Sequence, residues 1–245
     1  MLIEKYDHAI KEVMDRVRET QWSQVEKAAD LIVAAVKKGG GIHIYDTGHI
    51  IDSELVDRAG GLALLRRLRY TFEVISTARA IERKGITDNR EGLAGYALRA
   101  SKAAPGDVLI IGSVSGKTVP VVDMALEAHK LGLTVIAVTS MAYSSSVSSD
   151  HSCGKRLYEI ADMVIDNCSG PGDAMLSIDG IDGRFAPSSG ISAAYIMWCL
   201  SACIIEKMLE AGLKPTVFQS VNQPDGWDRY YEMTERYDRL VYRGY

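Results

Sequence analysis

Between residues 108 and 130 the chain reads VLIIGSVSGKTVPVVDMALEAHK, and the centre of that stretch holds the residues best suited to chemistry. Ser113, Ser115 and Thr118 bring three hydroxyls close together, with Gly116 and Lys117 among them. The apolar run 108–111 before them predicts a buried parallel strand, and Pro120 after them marks the opening of a helix. Hydroxyls and free backbone N–H groups at such a junction donate hydrogen bonds to oxyanions, and the positive end of the helix favours negative charge. The stretch therefore predicts an anion cradle. Lys117 either adds charge to it or points into solvent. No G-x-x-x-x-G-K-[ST] spacing is present, so the pattern is not that of a nucleotide P-loop.

Two other loops carry residues of the same kind. Thr47-Gly48-His49 follows a predicted strand at 42–46, and Thr139-Ser140 ends one at 134–139. Ligands of open parallel sheets bind at the carboxyl ends of strands, where the strand order reverses. If the strands at 42 and 108 are neighbours, Thr47, Gly48 and His49 face the 113–118 loop across that crevice. His49 and His151 are the candidates for general acid work or for shuttling a proton, because imidazole titrates near neutrality. The serine-rich stretch 141–153 reads as a polar loop, suited to a lid or to an arm reaching a neighbouring subunit. Behind it, Lys155 is expected to neutralise an anionic ligand, and Arg156 to be solvated. Cys153, Cys168, Cys199 and Cys203 lack metal-ligand spacing.

These loops need elements to hold them. Apolar residues at three- and four-residue steps predict helices over 2–17 and 25–36. Beyond the first strand we expect a helix to about residue 58, a strand at 63–68 and a helix over 82–104. The cradle strand is followed by a helix at 119–131, then by the 134–139 strand, a helical turn at 155–161 and a strand at 163–166. Residues 171–188 read as irregular, and 189–211 as a long apolar helix. Alternating strands and helices predict an α/β fold with a parallel sheet covered on both faces. No repeat or linker interrupts the chain, so 1–245 reads as one domain with residues 1–40 as a helical N-terminal extension. A helix that is apolar nearly all round needs burial on every side, which predicts a subunit interface on 189–211. The aromatic tail, Trp227, Tyr230, Tyr231, Tyr237, Tyr242 and Tyr245, is expected to pack across the same boundary.

Net charge is −4, from 32 acidic and 28 basic residues, with no block of like charge. Nucleic acid is therefore not an expected partner. The apolar run 191–205 is interrupted by serines and short for a bilayer, and the first residues are charged and amphipathic. A cytoplasmic protein without a membrane segment or secretory signal is expected.

Ser113-Val114-Ser115-Gly116-Lys117-Thr118 resembles the S-x-S-G-x-T signature of the sugar isomerase (SIS) domain, which binds phosphorylated sugars. The similarity continues in Tyr45-Asp46-Thr47-Gly48-His49, Arg58-Ala59-Gly60-Gly61 and Met124-Ala125-Leu126-Glu127-Ala128. It extends through residues 135–140, Gly154-Lys155-Arg156-Leu157-Tyr158-Glu159, and 161–167. Nearly the whole chain resembles single-domain SIS proteins similar to phosphoheptose isomerases. The resemblance implies a flavodoxin-like, doubly wound five-stranded parallel sheet. It also implies a homodimer or homotetramer with the site near a subunit boundary. Ser113, Ser115 and Thr118 are then the phosphate ligands, with Gly116, Lys117, Thr139 and Ser140 beside them. Glu54 stands where phosphoheptose-isomerase-like proteins carry a catalytic glutamate, in a stretch similar to E-E-L-x-x-[RG]-x-G. Here Ser53 replaces one acid of that pattern, and the span from Gly48 to Glu54 is about two residues shorter, each of which turns a helix by roughly 100°. The histidine that phosphoheptose isomerases carry on the C-terminal helix has no counterpart in 194–206.

The expected function is aldose–ketose isomerisation of a small anionic sugar, foremost a sugar phosphate, through an enediol with Glu54 as base and no metal or cofactor. The same cradle would also suit a sulfosugar isomerase, a non-catalytic sugar-phosphate-binding regulator, or a lyase or etherase using the same glutamate.

Overall fold

The computed structural model describes residues 1–48, 51–73, 75, 77 and 90–241, without the side chains of 51, 53, 240 and 241. Five parallel strands form its centre, in the order β2-β1-β3-β4-β5. They are β1 (Ile42–Asp46), β2 (Leu65–Arg67), β3 (Val108–Gly112), β4 (Thr134–Thr139) and β5 (Met163–Asp166). β1 and β3 pair in register from Ile42 opposite Val108 to Asp46 opposite Gly112. Strand order therefore reverses between β1 and β3, as the flavodoxin-like arrangement requires.

Side chains alternate across a strand, so one apolar run feeds two cores. Val108 and Ile110 join Ile44 and Ile136 under α1 (Leu2–Lys37) and α7 (Ser189–Glu210). Leu109 and Ile111 face the other way, into α3 (Leu93–Ala100) and α4 (Val119–Leu131), where they meet Leu98, Met124 and Ala125. Each fully buried aliphatic side chain contributes about 1.5–3 kcal/mol. Short turns, α2 (Ile51–Leu55), α5 (Met141–Ser144) and α6 (Leu157–Ile160), sit at the ends of strands or before them.

Several elements differ from the sequence-based expectation. The first two helices are one, α1, running unbroken through residues 18–24. Val17, Gln21 and Val25 lie on one stripe, and Gln21 is its polar step: its side-chain oxygen accepts a hydrogen bond from Asp166 N at 3.0 Å. The second half of α1, with Ala28, Ala29, Ile32 and Val36 fully or almost fully buried, belongs to the main core and is not an appendage. α1 also covers α7, so much of the burial expected from a partner subunit comes from the same chain. Trp22 meets Tyr195 with ring centroids 5.9 Å apart. By length and composition α7 suffices to cross a membrane, yet Ala193, Ile196, Met197, Leu200 and Ile204 are packed into the core.

β2 is shorter than expected because the residues before it turn to another partner: Ala63 N donates to Thr216 O, and Leu62 bridges Val217. The stretch 171–188 holds an antiparallel pair, β6 (Ala174–Leu176) and β7 (Phe185–Pro187), where irregular chain was expected. Of the expected 82–104 helix, α3 covers Leu93–Ala100, and 82–89 lie outside the described residues. The aromatic tail forms α8 (Gly226–Val241) and folds back on its own chain. Tyr237 is buried, and Tyr230 stacks on Phe218 at 4.8 Å. Tyr242 and Tyr245 lie outside the described residues.

At the amino ends of β1 and β3, far from the cradle, Asp107 closes the sheet. Its carboxylate accepts from Gly41 N (2.6 Å) and Ala104 N (2.9 Å) and lies 2.8 Å from His43 Nε2. Both side chains are buried. Replacing Asp107 by alanine strands two backbone donors and the imidazole. Urea unfolding should show a loss of about 3 kcal/mol or more, whereas Leu209→Ala, at an exposed position of α7, should change stability by about 0.5 kcal/mol or less.

Candidate functional site

The parallel register of β1 and β3 sets their carboxyl ends side by side. Thr47 follows β1 and reaches across, its N and Oγ1 each 3.4 Å from Gly112 O. Gly48 comes next with φ +106°, a conformation that favours glycine. His49 lies outside the described residues. The loop at 113–118 leaves β3 toward α4. Ser113 is anchored by its N–H to Val138 O (3.1 Å), and its Oγ accepts from Gly116 N at 3.3 Å.

Gly116 is the tightest point of this loop. Its φ is +57°, and a Cβ there would lie 3.0 Å from both Leu157 Cβ and Ser144 Oγ. Its carbonyl accepts from Leu157 N (2.8 Å), and the next carbonyl, of Lys117, accepts from Asp150 N (2.9 Å). The serine-rich stretch is thus stitched to the cradle from behind. Within that stretch Ser144 and His151 are buried, while Ser145, Ser146, Ser148, Asp150, Ser152 and Cys153 are exposed, as a polar surface segment requires.

Thr118 is the N-cap residue of α4, with Pro120 in the first turn, and its side chain makes no capping bond. Neither the Ser115 nor the Thr118 hydroxyl is hydrogen-bonded among the described residues, although both are half-buried. Most serines and threonines in such places cap helices or bond to nearby backbone. Two unengaged hydroxyls beside a helix N-terminus, with the Ser113 proton free to turn toward them, form a donor set for an oxyanion.

The neighbouring Thr139 and Ser140 are engaged otherwise. Thr139 Oγ1 donates to Val114 O at 3.0 Å. Ser140 Oγ donates to Ser169 O at 2.6 Å and accepts from Tyr143 N at 3.1 Å. Both are fully buried. They shape the cradle, and their hydroxyls do not point out of it. From Ser140 the polar chain continues through Ser169 and Ser188 (Oγ to Oγ 3.0 Å) to Asp173. Asp173 accepts from Ser188 N (3.1 Å) and Ser189 N (2.8 Å), so a carboxylate already satisfies the start of α7.

The expected charged groups divide. Lys117 Nζ meets Asp150 Oδ1 at 2.9 Å, so the lysine ties the serine-rich stretch down. Lys155 is exposed. Arg156 is not a solvated charge: it donates to Val147 O and Ser145 O and pairs with Glu159 at 2.7 Å. The guanidinium holds the Glu159 carboxyl down at about 2. His151 accepts from Cys153 N at Nδ1 (3.1 Å), which leaves the ring proton on Nε2. That nitrogen is buried without a hydrogen-bond partner, 3.8 Å from Asp123 Oδ1, while Nδ1 is 3.8 Å from Glu91 Oε1. Asp123 in turn accepts from Gly92 N and Ala94 N at the start of α3. His151 is wedged between α3 and α4.

Glu54 is on α2, one-third exposed, with Oε2 2.7 Å from Arg58 Nη1. Asp52, which the sequence pattern did not single out, is buried two residues earlier and held by Arg67 Nε (2.9 Å) and Arg69 Nη2 (3.0 Å). Those arginines come from β2 and just beyond it, so only the strand order reveals the triad. On β1, Tyr45 stacks on Tyr70 at 6.1 Å, and burial pushes its hydroxyl well above the ordinary tyrosine range. A cavity of about 500 Å³ opens beside Gly48, lined by Asp173, Ala186, Ser189 and Ile191 and reached by Tyr6 of α1. Its size suits a small ligand. No linear motif joins residues so distant in sequence. Among the described residues no cluster of His, Cys, Asp and Glu is arranged to hold a metal ion.

Gly116→Ala tests the cradle directly. Left-handed backbone plus the crowding at Leu157 should destabilise the protein by about 1–3 kcal/mol in thermal unfolding. Inorganic phosphate binding, followed by calorimetry, should weaken at least about tenfold through loss of the donor geometry.

A family model described as the SIS domain matches residues 5–140. A UPF0309 protein of Shouchella clausii is 36% identical over 246 residues, covering 98% of each chain. Another, of Oceanobacillus iheyensis, is 33% identical, again over 98% of each. Among solved structures, a phosphoheptose isomerase from Francisella tularensis matches with a TM-score of 0.51 at 19% identity, over 83% of this chain and 96% of that one. The Neisseria gonorrhoeae phosphoheptose isomerase gives 0.53 at 16% identity, over 83% and 97%. At those identities the structural likeness shows the fold. The full-length sequence relatives and the matched domain show more: this chain belongs to the SIS-domain family, among its UPF0309 proteins.

Proposed function

We propose that this protein is an aldose–ketose isomerase of a small anionic sugar, foremost a sugar phosphate. The observation that carries the proposal is the pair of unengaged hydroxyls, Ser115 and Thr118, at the N-terminus of α4 in the crevice where strand order reverses. Membership of the SIS-domain family supports a sugar ligand there, and two structural neighbours are named phosphoheptose isomerases.

In this reading the phosphate sits on Ser113, Ser115, Thr118 and the loop N–H groups, as the anchor of the sugar. The carbon chain extends past Gly48 toward the Asp173–Ser189 cavity. Glu54 removes the proton from the carbon next to the carbonyl. The electron pair moves into the new C–C double bond and the carbonyl π pair onto oxygen, giving an enediolate. Glu54 returns the proton to the neighbouring carbon while the hydroxyl proton passes to the first oxygen, so substrate and product are isomers. Arg58, now on Glu54, would keep the carboxylate in place between turnovers. A sulfonate has the same tetrahedral oxygens, so a sulfosugar fits the same anchor. A non-catalytic sugar-phosphate binder is the second reading. It is favoured by the Glu54–Arg58 ion pair and by the absence of a histidine in residues 194–206. The active form in this proposal is a homodimer or homotetramer.

The test is NMR of the full chain in D₂O with sedoheptulose 7-phosphate, glucose 6-phosphate and sulfoquinovose. One of them should yield its partner sugar and take up deuterium at the carbon next to the carbonyl. Glu54→Gln should lower kcat by about 10²- to 10⁴-fold and leave phosphate affinity unchanged, whereas S115A/T118A should mainly raise KM. Binding without turnover or exchange for any sugar would favour the regulator. Turnover that survives Glu54→Gln would remove Glu54 as base.

A further inference from the structure

Away from the cradle, α1 and the chain after β5 enclose a second cavity of about 230 Å³. Arg16 and Arg184 line it, together with Gly170, Pro171, Ala174 and Met175. Arg16 donates one N–H, from Nη2, to Cys168 O (3.3 Å), and Arg184 donates one, also from Nη2, to Met175 O (2.7 Å). A guanidinium has five donors in a planar fork. Most described arginines here place that fork on a carboxylate, as Arg58, Arg67 and Arg156 do. Among the described residues Arg16 and Arg184 contact no carboxylate. The acid lining the cavity, Glu12, is 3.3 Å from His8 along its own helix.

Two guanidiniums therefore share one cavity, each oriented by a backbone carbonyl and each with donors left over. Neither is needed to neutralise a carboxylate of the fold. Such forks match phosphate oxygens bidentately. We propose that Arg16 and Arg184 form a second oxyanion site, taking a phosphate group either free or as a monoester, distinct from the cradle. The residues it would touch bear on the first site. Segment 170–175 lines the arginine cavity through Gly170, Pro171, Ala174 and Met175, and the cavity beside Gly48 through Asp173. Cys168, which holds Arg16, adjoins Ser169, the partner of Ser140 and Ser188. A phosphate on the arginines would thus order the segment that forms one wall of the proposed sugar crevice.

Calorimetric titration of the full chain with inorganic phosphate, and separately with glycerol phosphate, tests this. Two equivalents should bind per chain with at least one of these probes. R16Q/R184Q should lose one of them and keep the other at wild-type affinity. S115A/T118A should do the reverse. R16K/R184K keeps both charges but loses the forks, and should weaken the second site about tenfold. Both arginines are exposed, so circular dichroism of these variants should match the wild type. An R16Q/R184Q protein that binds as many equivalents as wild type, with the same affinities, overturns the second site. A wild type that binds one phosphate, lost in R16Q/R184Q and kept in S115A/T118A, would refute the cradle and leave this site standing.

Discussion

The pairing of β3 with β1 on one side and β4 on the other organises everything that follows. β3 is buried on both faces, so its side chains must be apolar throughout, and its polar loop residues are pushed beyond Gly112. Parallel pairing sends every carboxyl end to the same edge. Crossovers to opposite faces on either side of β1 and β3 leave a gap there. Thr47, Gly48 and the 113–118 loop meet at that gap because of backbone register.

At the gap, hydrogen-bond supply decides which residues can bind. Six hydroxyls come close to the crevice from three loops, but Thr139 and Ser140 are saturated by backbone partners. Ser115 and Thr118 are not. The difference lies in depth. Leaving a buried hydroxyl unpaired costs about 1–3 kcal/mol, which favours the internal partners of Thr139 and Ser140, while half-buried hydroxyls can wait for solvent or ligand. Ser144, fully buried without a hydrogen-bond partner among the described residues, is the exception. Gly116 makes this possible by letting Ser144 and Leu157 approach so closely that the loop has one shape. Asp173 plays the complementary part at α7, where its carboxylate already occupies the helix start.

Charge follows the same logic. Lys117, Arg58 and Arg156 all carry carboxylate partners, so the crevice holds less loose positive charge than its composition suggests. Two guanidiniums held by backbone carbonyls alone among the described residues, those of Arg16 and Arg184, are elsewhere, on α1 and before β7. α1 itself is part of this division, its second half in the core and its first half reaching Tyr6 and Arg16 out over the carboxyl edge.

Sequence alone determined the parts whose signal is local. Apolar runs of strand length, the glycine and hydroxyl spacing of 113–118, and the Pro120 helix start were all legible, and β4, β5 and α4 fall within the expected bounds. Those features depend on neighbours a few positions away. The long α1 was read as two helices because Gln21 interrupts its apolar stripe, and its reason is a bond to Asp166, 145 residues distant. The β6–β7 pair escapes a reading of the sequence because each strand, Ala174–Leu176 and Phe185–Pro187, is only three residues long, too short for a periodic signal, and exists through pairing with the other. Tertiary structure alone decided which hydroxyls stay unengaged, that Asp52 meets two arginines, that His151 is wedged beside Asp123, and that Arg16 and Arg184 share a cavity. Each of these depends on satisfying buried polar groups and charges across loops far apart in the chain, a condition that residue type and spacing do not encode.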